Sequence, residues 1–178
     1  MNTESIIQAV EHWIDALVVG LNLCPFAGAA VRQEHLRIVV SDERGFEANL
    51  QMLSDEANQL VAGGGQLTTL LVLSEGFDEF DDYLDLLATG EALLEDLDLE
   101  GIVQLASFHP KYQFDGTTED DVSNWTNRAP FPILHLLQEA SVTRAVEGHP
   151  DPDGIPDRNI ETLNQLGLSG VLQLLGRS

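Results

Sequence analysis

A histidine and several basic residues in the C-terminal half of the sequence could bind and transform a small anion. His109 directly follows the apolar segment 102–108, and an imidazole can act as a general acid or base near neutral pH. The candidate substrate-binding residues are Lys111, Tyr112, Asn127, Arg128 and Arg158. A guanidinium suits a carboxylate or a phosphate, but each base could equally pair with a neighbouring acidic side chain. His109 could likewise hydrogen-bond only to backbone.

A second pattern could supply metal ligands. His135 and Glu139 are four residues apart, within a segment from 130 to 147 that the spacing of apolar residues predicts to be helical. Side chains at this spacing share one helix face, and His109 or Cys24 could complete a metal site if the fold brought it close. A simple hydrogen-bonded pair on the helix surface explains the same spacing.

The cysteine content and the glycine content suggest no further catalytic motif. Cys24 is the only cysteine, so no internal disulfide can form, and a lone thiol fits the reducing cytoplasm. We interpret it as a buried and inert thiol, because it follows a helix and has no base near it in sequence. The run Gly63-Gly64-Gly65 lacks the lysine of a phosphate-binding loop, so it predicts the end of a helix.

The elements that would position these residues alternate between helices and strands. The predicted helices cover residues 3–20, 46–61, about 77–97, 130–147 and 156–166, and the predicted strands cover 35–41, 68–73 and 102–108. Such alternation predicts a small layered α/β fold of about three strands, at least partly parallel, and five helices, in a single domain over residues 1–178. His109 would then lie at the strand end where open sheets usually bind ligands. Arg128 would precede one helix and Arg158 would lie in the first turn of another, and helix N-termini attract anions.

The charge of the chain excludes some partners and suggests another. The net charge is −22, with 30 acidic residues against 8 lysines and arginines. Such a surface repels phosphate backbones and anionic lipids, so we expect no nucleic-acid partner and no membrane partner. No apolar run is long enough to span a bilayer, and the N-terminal segment lacks the basic start of a signal peptide. The predicted acidic helix carries Asp81, Asp82 and Asp85, which could dock a basic protein or simply face solvent.

Four segments of the chain together resemble one family. They are LNLCPFA at 21–27, QLASFHPKYQF at 104–114, TNRAPFPILHLLQEASV at 126–142 and IPDRNIETLNQLG at 155–167. In this combination and order the chain resembles the bacterial domain of unknown function 1415 family. The resemblance spans nearly the whole chain and implies a soluble bacterial protein of this size. It implies no activity, no substrate and no catalytic residues.

These patterns leave three functions open. The first is an enzyme or binding protein for a small anionic ligand, with His109 as the catalytic group and Arg128 and Arg158 holding the anion. The second is a metal-dependent hydrolase built on His109, His135 and Glu139. The third is a non-enzymatic, acidic interaction protein. No cofactor follows from the sequence, and the first two functions require their residues to converge on one cleft.

Overall fold

One mixed sheet of four strands forms the centre of the molecule in the computed structural model, which describes residues 1–63 and 67–176. The strands are β1 Leu36–Ser41, β2 Thr68–Leu73, β3 Val103–Phe108 and β4 Ile133–Gln138, in the spatial order β1-β2-β4-β3. β1 and β2 are parallel, whereas β4 is antiparallel to both of its neighbours. β1, β2 and β3 therefore end at the same edge of the sheet. The predicted α/β fold with a partly parallel sheet is confirmed.

Helices cover both faces of this sheet. The α-helices of the described ranges are α1 Thr3–Trp13, α2 Ala27–Arg32, α3 Phe46–Ala62, α4 Phe80–Asp96, α5 Glu139–Glu147 and α6 Ile155–Leu174. A π-helix, Ile14–Val19, continues α1, and a short 3-10 helix, Val122–Thr126, precedes β4. Across the described part of the chain, six α-helices and four strands replace the predicted five and three. None of these helices combines the length and the apolar character that crossing a membrane requires.

The face of the sheet toward α3 and α4 is tightly packed. Alternate residues of a strand point to opposite faces, so Leu71 of β2 and Leu134 of β4 meet Leu53 of α3 on this side, and all three are fully buried. Gly90 allows α4 to approach α3 closely, because a Cβ atom there would lie 2.7 Å from the Leu53 side chain. This layer leaves little space for a ligand.

The opposite face is packed over only part of its area. Val10 of α1, Leu17 of the π-helix and Leu163 of α6 are fully buried against Leu70 and Ile133 of the sheet. The short helices α2 and α5 lie on the same side, yet neither contributes a buried residue. They therefore cover this part of the sheet without filling the space beneath them.

The predicted helix over residues 130–147 is wrong in its first half. Ile133–Gln138 is β4, which pairs with β2 on one side and β3 on the other, and only Glu139–Glu147 is helical. A central strand is apolar on both faces, so its sequence shows no alternation and cannot be distinguished from a buried helix by periodicity. Asn127 and Arg128 consequently precede a strand, and the anion-attracting helix N-terminus expected beside them is absent from this segment.

Glycines end or interrupt two helices where the sequence predicts a stop. Gly63 follows α3 with a φ of 81°, a left-handed conformation that glycine adopts without strain, which confirms the predicted stop there. Gly64 and Gly65 lie outside the described residues. Gly167 interrupts α6 with a φ of 69°, directly after the predicted end of the last helix at Leu166. The helix then resumes through Val171 to Leu174.

Candidate functional site

A cavity of about 580 Å³ lies between the loosely covered face of the sheet and the helices α2 and α5. Strand residues on its sheet side are Leu36, Thr68, Leu70, Ala106, Phe108, His135 and Leu137. The end of α1 and the π-helix contribute Trp13, Ile14 and Val18. The cavity thus occupies the space that α2 and α5 leave open.

Uncharged residues line this cavity throughout. None of the described residues around it is Asp, Glu, Lys or Arg, although the sequence holds 30 acidic residues and 8 lysines and arginines. An ionised ligand group inside would therefore lose its hydration without gaining a counter-charge. The electrostatics favour a ligand that is mostly apolar.

The two covering helices present small side chains to the cavity. Ala145 of α5 lies four residues after Ser141 and three residues after Val142, so the three side chains share one helix face. Ala30 and Val31 of α2 line the cavity from the other covering helix. Because these residues are short, the helices leave open volume between themselves and the sheet.

His135 supplies the main polar group on the sheet side of the cavity. Its Nε2 atom lies 2.5 Å from the hydroxyl oxygen of Thr68, which also donates to the carbonyl oxygen of Leu136 at 3.2 Å. No described residue bonds the Nδ1 atom, and no buried side-chain nitrogen or oxygen in the described ranges lacks a partner, so Nδ1 is open to the cavity. Burial lowers the pKa of His135 to about 4, because the surrounding protein would hydrate an imidazolium poorly. The ring is therefore neutral at neutral pH.

The π-helix shapes one wall of the cavity. Its wider turn is held by the backbone N–H of Gly20, which donates to the carbonyl oxygen of Asp15 five residues earlier at 3.0 Å. Such segments within α-helices are frequent at functional sites. After this turn the chain continues into Cys24, Pro25 and Phe26, which also line the cavity. Cys24 is half-buried there, and its predicted inertness stays a prediction.

His109 occupies a different place, on the α4 side of the sheet. It is fully buried; its Nε2 atom donates to the carbonyl oxygen of Phe77 at 2.9 Å, and its Nδ1 atom accepts from the backbone N–H of Lys111 at 3.0 Å. The rings of Phe80 and Tyr83 each pack 5.1 Å from the imidazole. Burial, above all, lowers the pKa of His109. Both nitrogens are bonded in the neutral ring, which favours a structural role, and the catalytic role stays a prediction.

Four of the residues predicted for the anion site are joined through backbone contacts. The backbone N–H of His109 donates to the carbonyl oxygen of Asn127 at 3.1 Å, and that of Tyr112 donates to the carbonyl oxygen of His109 at 3.0 Å. Arg128 donates through Nε to the carbonyl oxygen of Tyr112 at 3.0 Å. These residues therefore lie around the loop that connects β3 with β4.

The cations predicted to hold the anion already have partners. Arg128 donates a second bond, through Nη2, to the carbonyl oxygen of Glu119 at 2.8 Å, and its guanidinium lies 5.7 Å from the ring centre of Trp125. Burial lowers the pKa of Arg128, and the nearby carboxylates of Glu119 and Asp120 partly oppose that shift. The remaining cations form ion pairs, Lys111 with Glu79 at 2.8 Å and Arg158 with Asp151 at 2.5 Å. Arg158, at the start of α6, contacts neither Arg128 nor His109 through a hydrogen bond.

The predicted metal ligands lie apart. His135 faces the cavity, His109 packs against α4 on the other side of the sheet, and Glu139 begins α5 beyond the end of β4. Four residues of extended strand span about 13 Å, whereas on a helix they would bring the two side chains together. Among the residues that the structure describes, no three His, Cys, Asp or Glu side chains are grouped closely enough to hold a metal ion.

The mixed sheet, its two helical layers and the uncharged cavity define a small α/β protein with a pocket of ligand size. A family model described as "Protein of unknown function (DUF1415)" matches residues 5–173. The chain belongs to that family, and the resemblance seen in its motifs is confirmed. Neither a curated protein nor a solved structure gives a significant match.

Proposed function

We propose that the protein binds a small, largely apolar molecule in the cavity beneath α2 and α5. The observation that carries this proposal is the uncharged lining, in which His135 and Thr68 place one polar pair on an otherwise mainly apolar floor. Pockets of this composition are the usual binding sites for small molecules, because burial supplies affinity and a few polar groups fix orientation.

The volume of the cavity supports the same proposal. Ligand pockets commonly measure roughly 300 to 1,000 Å³, and this cavity holds about 580 Å³. Transferring apolar ligand surface from water into such a space contributes about 25 cal/mol for each Å² buried. Val31 of α2 lines the cavity and is 37% exposed, which indicates that the cavity reaches solvent beside this helix.

Ala106→Phe tests this proposal by filling the cavity. Ala106 lies opposite His135 in the sheet and contributes only a methyl group to the lining, so a phenyl ring there would occupy ligand space. We expect the affinity for an uncharged fluorescent probe, such as N-phenyl-naphthylamine, to fall by at least about tenfold, which corresponds to about 1.4 kcal/mol. The binding curves are measured by fluorescence titration.

Ala140→Phe is the matched control, because Ala140 is an exposed residue of α5 that does not line the cavity. We expect this variant to bind the probe as the wild type does. Equal affinities for the wild type, Ala106→Phe and Ala140→Phe, or no binding by any of them, would count against a ligand site in the cavity.

A site for a small anion, the function expected first from the sequence, stays a second proposal. It is favoured by the grouping of His109, Tyr112, Asn127 and Arg128 around the loop between β3 and β4. If it is correct, phosphate or a carboxylate should raise the melting temperature of the wild type but not of Arg128→Ala. A thermal-shift series at constant ionic strength measures this, and equal responses of the two proteins would argue against it.

The partner and location expectations likewise stay proposals. A net charge of −22 supports the absence of a nucleic-acid partner, and the single cysteine supports a cytoplasmic location. The exposed carboxylates of Asp81, Asp82 and Asp85 on α4 could dock a basic protein. If they do, a salt-sensitive interaction should weaken when these three residues are replaced by asparagine.

A further inference from the structure

The arrangement of polar groups in the cavity restricts the chemistry of the ligand. His135 lies on the strand floor, and its Nδ1 atom is open to the cavity, whereas Val31 and the exposed Gln33 line the side that reaches solvent beside α2. A ligand entering beside α2 would therefore meet an imidazole at the floor and mainly apolar walls on the way.

An ionised group is poorly accommodated at this floor. The described lining has no Asp, Glu, Lys or Arg side chain, and its titratable members are Cys24, His35 and His135. A carboxylate or an ammonium group placed there would exchange its hydration for one hydrogen bond and no opposite charge. A neutral polar group loses far less hydration and can recover it through that same bond.

The His135–Thr68 pair can bind either a hydrogen-bond donor, such as an alcohol, or an acceptor, such as a carbonyl oxygen. When the Thr68 hydroxyl donates to the carbonyl oxygen of Leu136, His135 donates from Nε2 to Thr68, and its bare Nδ1 can accept a bond from an alcohol. When the hydroxyl instead donates to Nε2, the proton lies on Nδ1, which can then donate to a carbonyl oxygen. Rotating one hydroxyl and moving one proton within the pair changes the group that the site recognises.

We propose, building on the proposed function, that the ligand is an uncharged amphiphile with an alcohol or carbonyl group that hydrogen-bonds to Nδ1 of His135. Its apolar chain or ring system lies under Ala145 and Val142 of α5 and against Phe108 of β3. The polar end is therefore inside and the apolar end lies toward the covering helices. A carboxylic acid can bind in the same way only in its neutral, protonated form.

Four compounds with a ten-carbon chain distinguish neutral from ionised ligands in competition with N-phenyl-naphthylamine at about pH 8. They are decanol, methyl octyl ketone, decanoate and decyltrimethylammonium. We expect decanol and the ketone to displace the probe at concentrations at least about tenfold lower than the two ions require. The affinity of decanoate should rise as the pH falls toward the pKa of the free acid, whereas the affinity of decanol should not.

Two variants test the role of the imidazole. His135→Phe keeps a ring of similar size without polar atoms, and Thr68→Val keeps the shape of the threonine without its hydroxyl. We expect His135→Phe to retain the probe but to lose the advantage of decanol over decane by about tenfold, and Thr68→Val to lose a smaller part of it. Thr68→Val also tests the pair independently if His135→Phe does not fold.

The outcomes distinguish the two proposals. If neither the probe nor any of the compounds binds the wild type, the proposed function itself is wrong. If the probe binds but the ions compete as well as decanol does, a cavity ligand stands and the inference of an uncharged ligand fails. An unchanged preference for decanol in both variants would likewise overturn the hydrogen bond to His135.

Discussion

Replacing His109 with alanine is expected to lower the free energy of unfolding by about 3 kcal/mol. The substitution removes a fully buried ring that packs against Phe80 and Tyr83 and leaves a cavity in the α4 side of the core. It also leaves the carbonyl oxygen of Phe77 and the N–H of Lys111 without the partners that the imidazole provides. Urea denaturation of the two proteins measures the difference.

His12→Ala provides the control for this experiment. His12 is an exposed residue of α1, so its removal should change the stability by less than about 0.5 kcal/mol. His109→Ala should still bind the apolar probe, because the cavity lies on the other face of the sheet. If His109→Ala were as stable as His12→Ala, the structural role assigned to His109 would be wrong.

The parts of the fold that the sequence predicts well are those with strong amphipathic spacing. In α3 the apolar positions recur every three or four residues, and Leu53, Ala57 and Leu60 are indeed its buried apolar residues. β2 is a short apolar run bounded by a glycine-rich segment and a serine, and it is buried at every position. Local pattern and tertiary environment agree in these elements.

β4 could not be predicted because its identity depends on its neighbours. The run Ile133–Gln138 becomes a strand by filling the gap between β2 and β3, which is a contact between segments about 65 and 30 residues apart in the chain. The mistaken assignment of this segment to a helix also affected the predicted metal ligands. His135 and Glu139, placed together on a helix, are separated by the extended backbone, and His135 instead pairs with Thr68.

The cavity could not be predicted from the sequence either. Its lining extends from Trp13 to Ala145, and only the fold brings these residues together. A partial signal exists in Ala27–Arg32 and Glu139–Glu147, two short segments with small apolar residues that are suited to covering a space. The resemblance motifs include residues of both sides of the molecule, such as His109 and His135, so they do not separate packing from binding.

Acidification from pH 6.5 to pH 4 is expected to destabilise the wild type by up to about 3 kcal/mol more than it destabilises His135→Phe. The folded protein holds the pKa of His135 at about 4, below its ordinary value of 6.5. Between these values the unfolded chain binds a proton at this residue and the folded chain does not. The contribution of neutral His135 to the free energy of unfolding is therefore complete above pH 6.5 and is lost as the pH falls to 4.

The comparison between the two proteins isolates His135 from the other titrating groups. The pKa of His109 is also lowered, so His109 likewise makes the free energy of unfolding fall as the pH falls. This contribution is the same in both proteins and cancels in their difference. The carboxylates cancel in the same way. Unfolding free energies from urea titrations at several pH values give the difference directly. A difference that does not change with pH would mean that water or another group in the cavity hydrates the imidazolium.

The lowered pKa of His135 and the proposed preference for an uncharged ligand have the same physical origin. Apart from His135 itself, the titratable residues of the described lining are Cys24 and His35, so no acidic side chain is present to stabilise an imidazolium. The absence of such a counter-charge both keeps His135 neutral and makes a charged ligand unfavourable. Introducing one carboxylate beside the ring, as in Ala106→Asp, should therefore raise the pKa of His135 and reduce the pH-dependent difference described above.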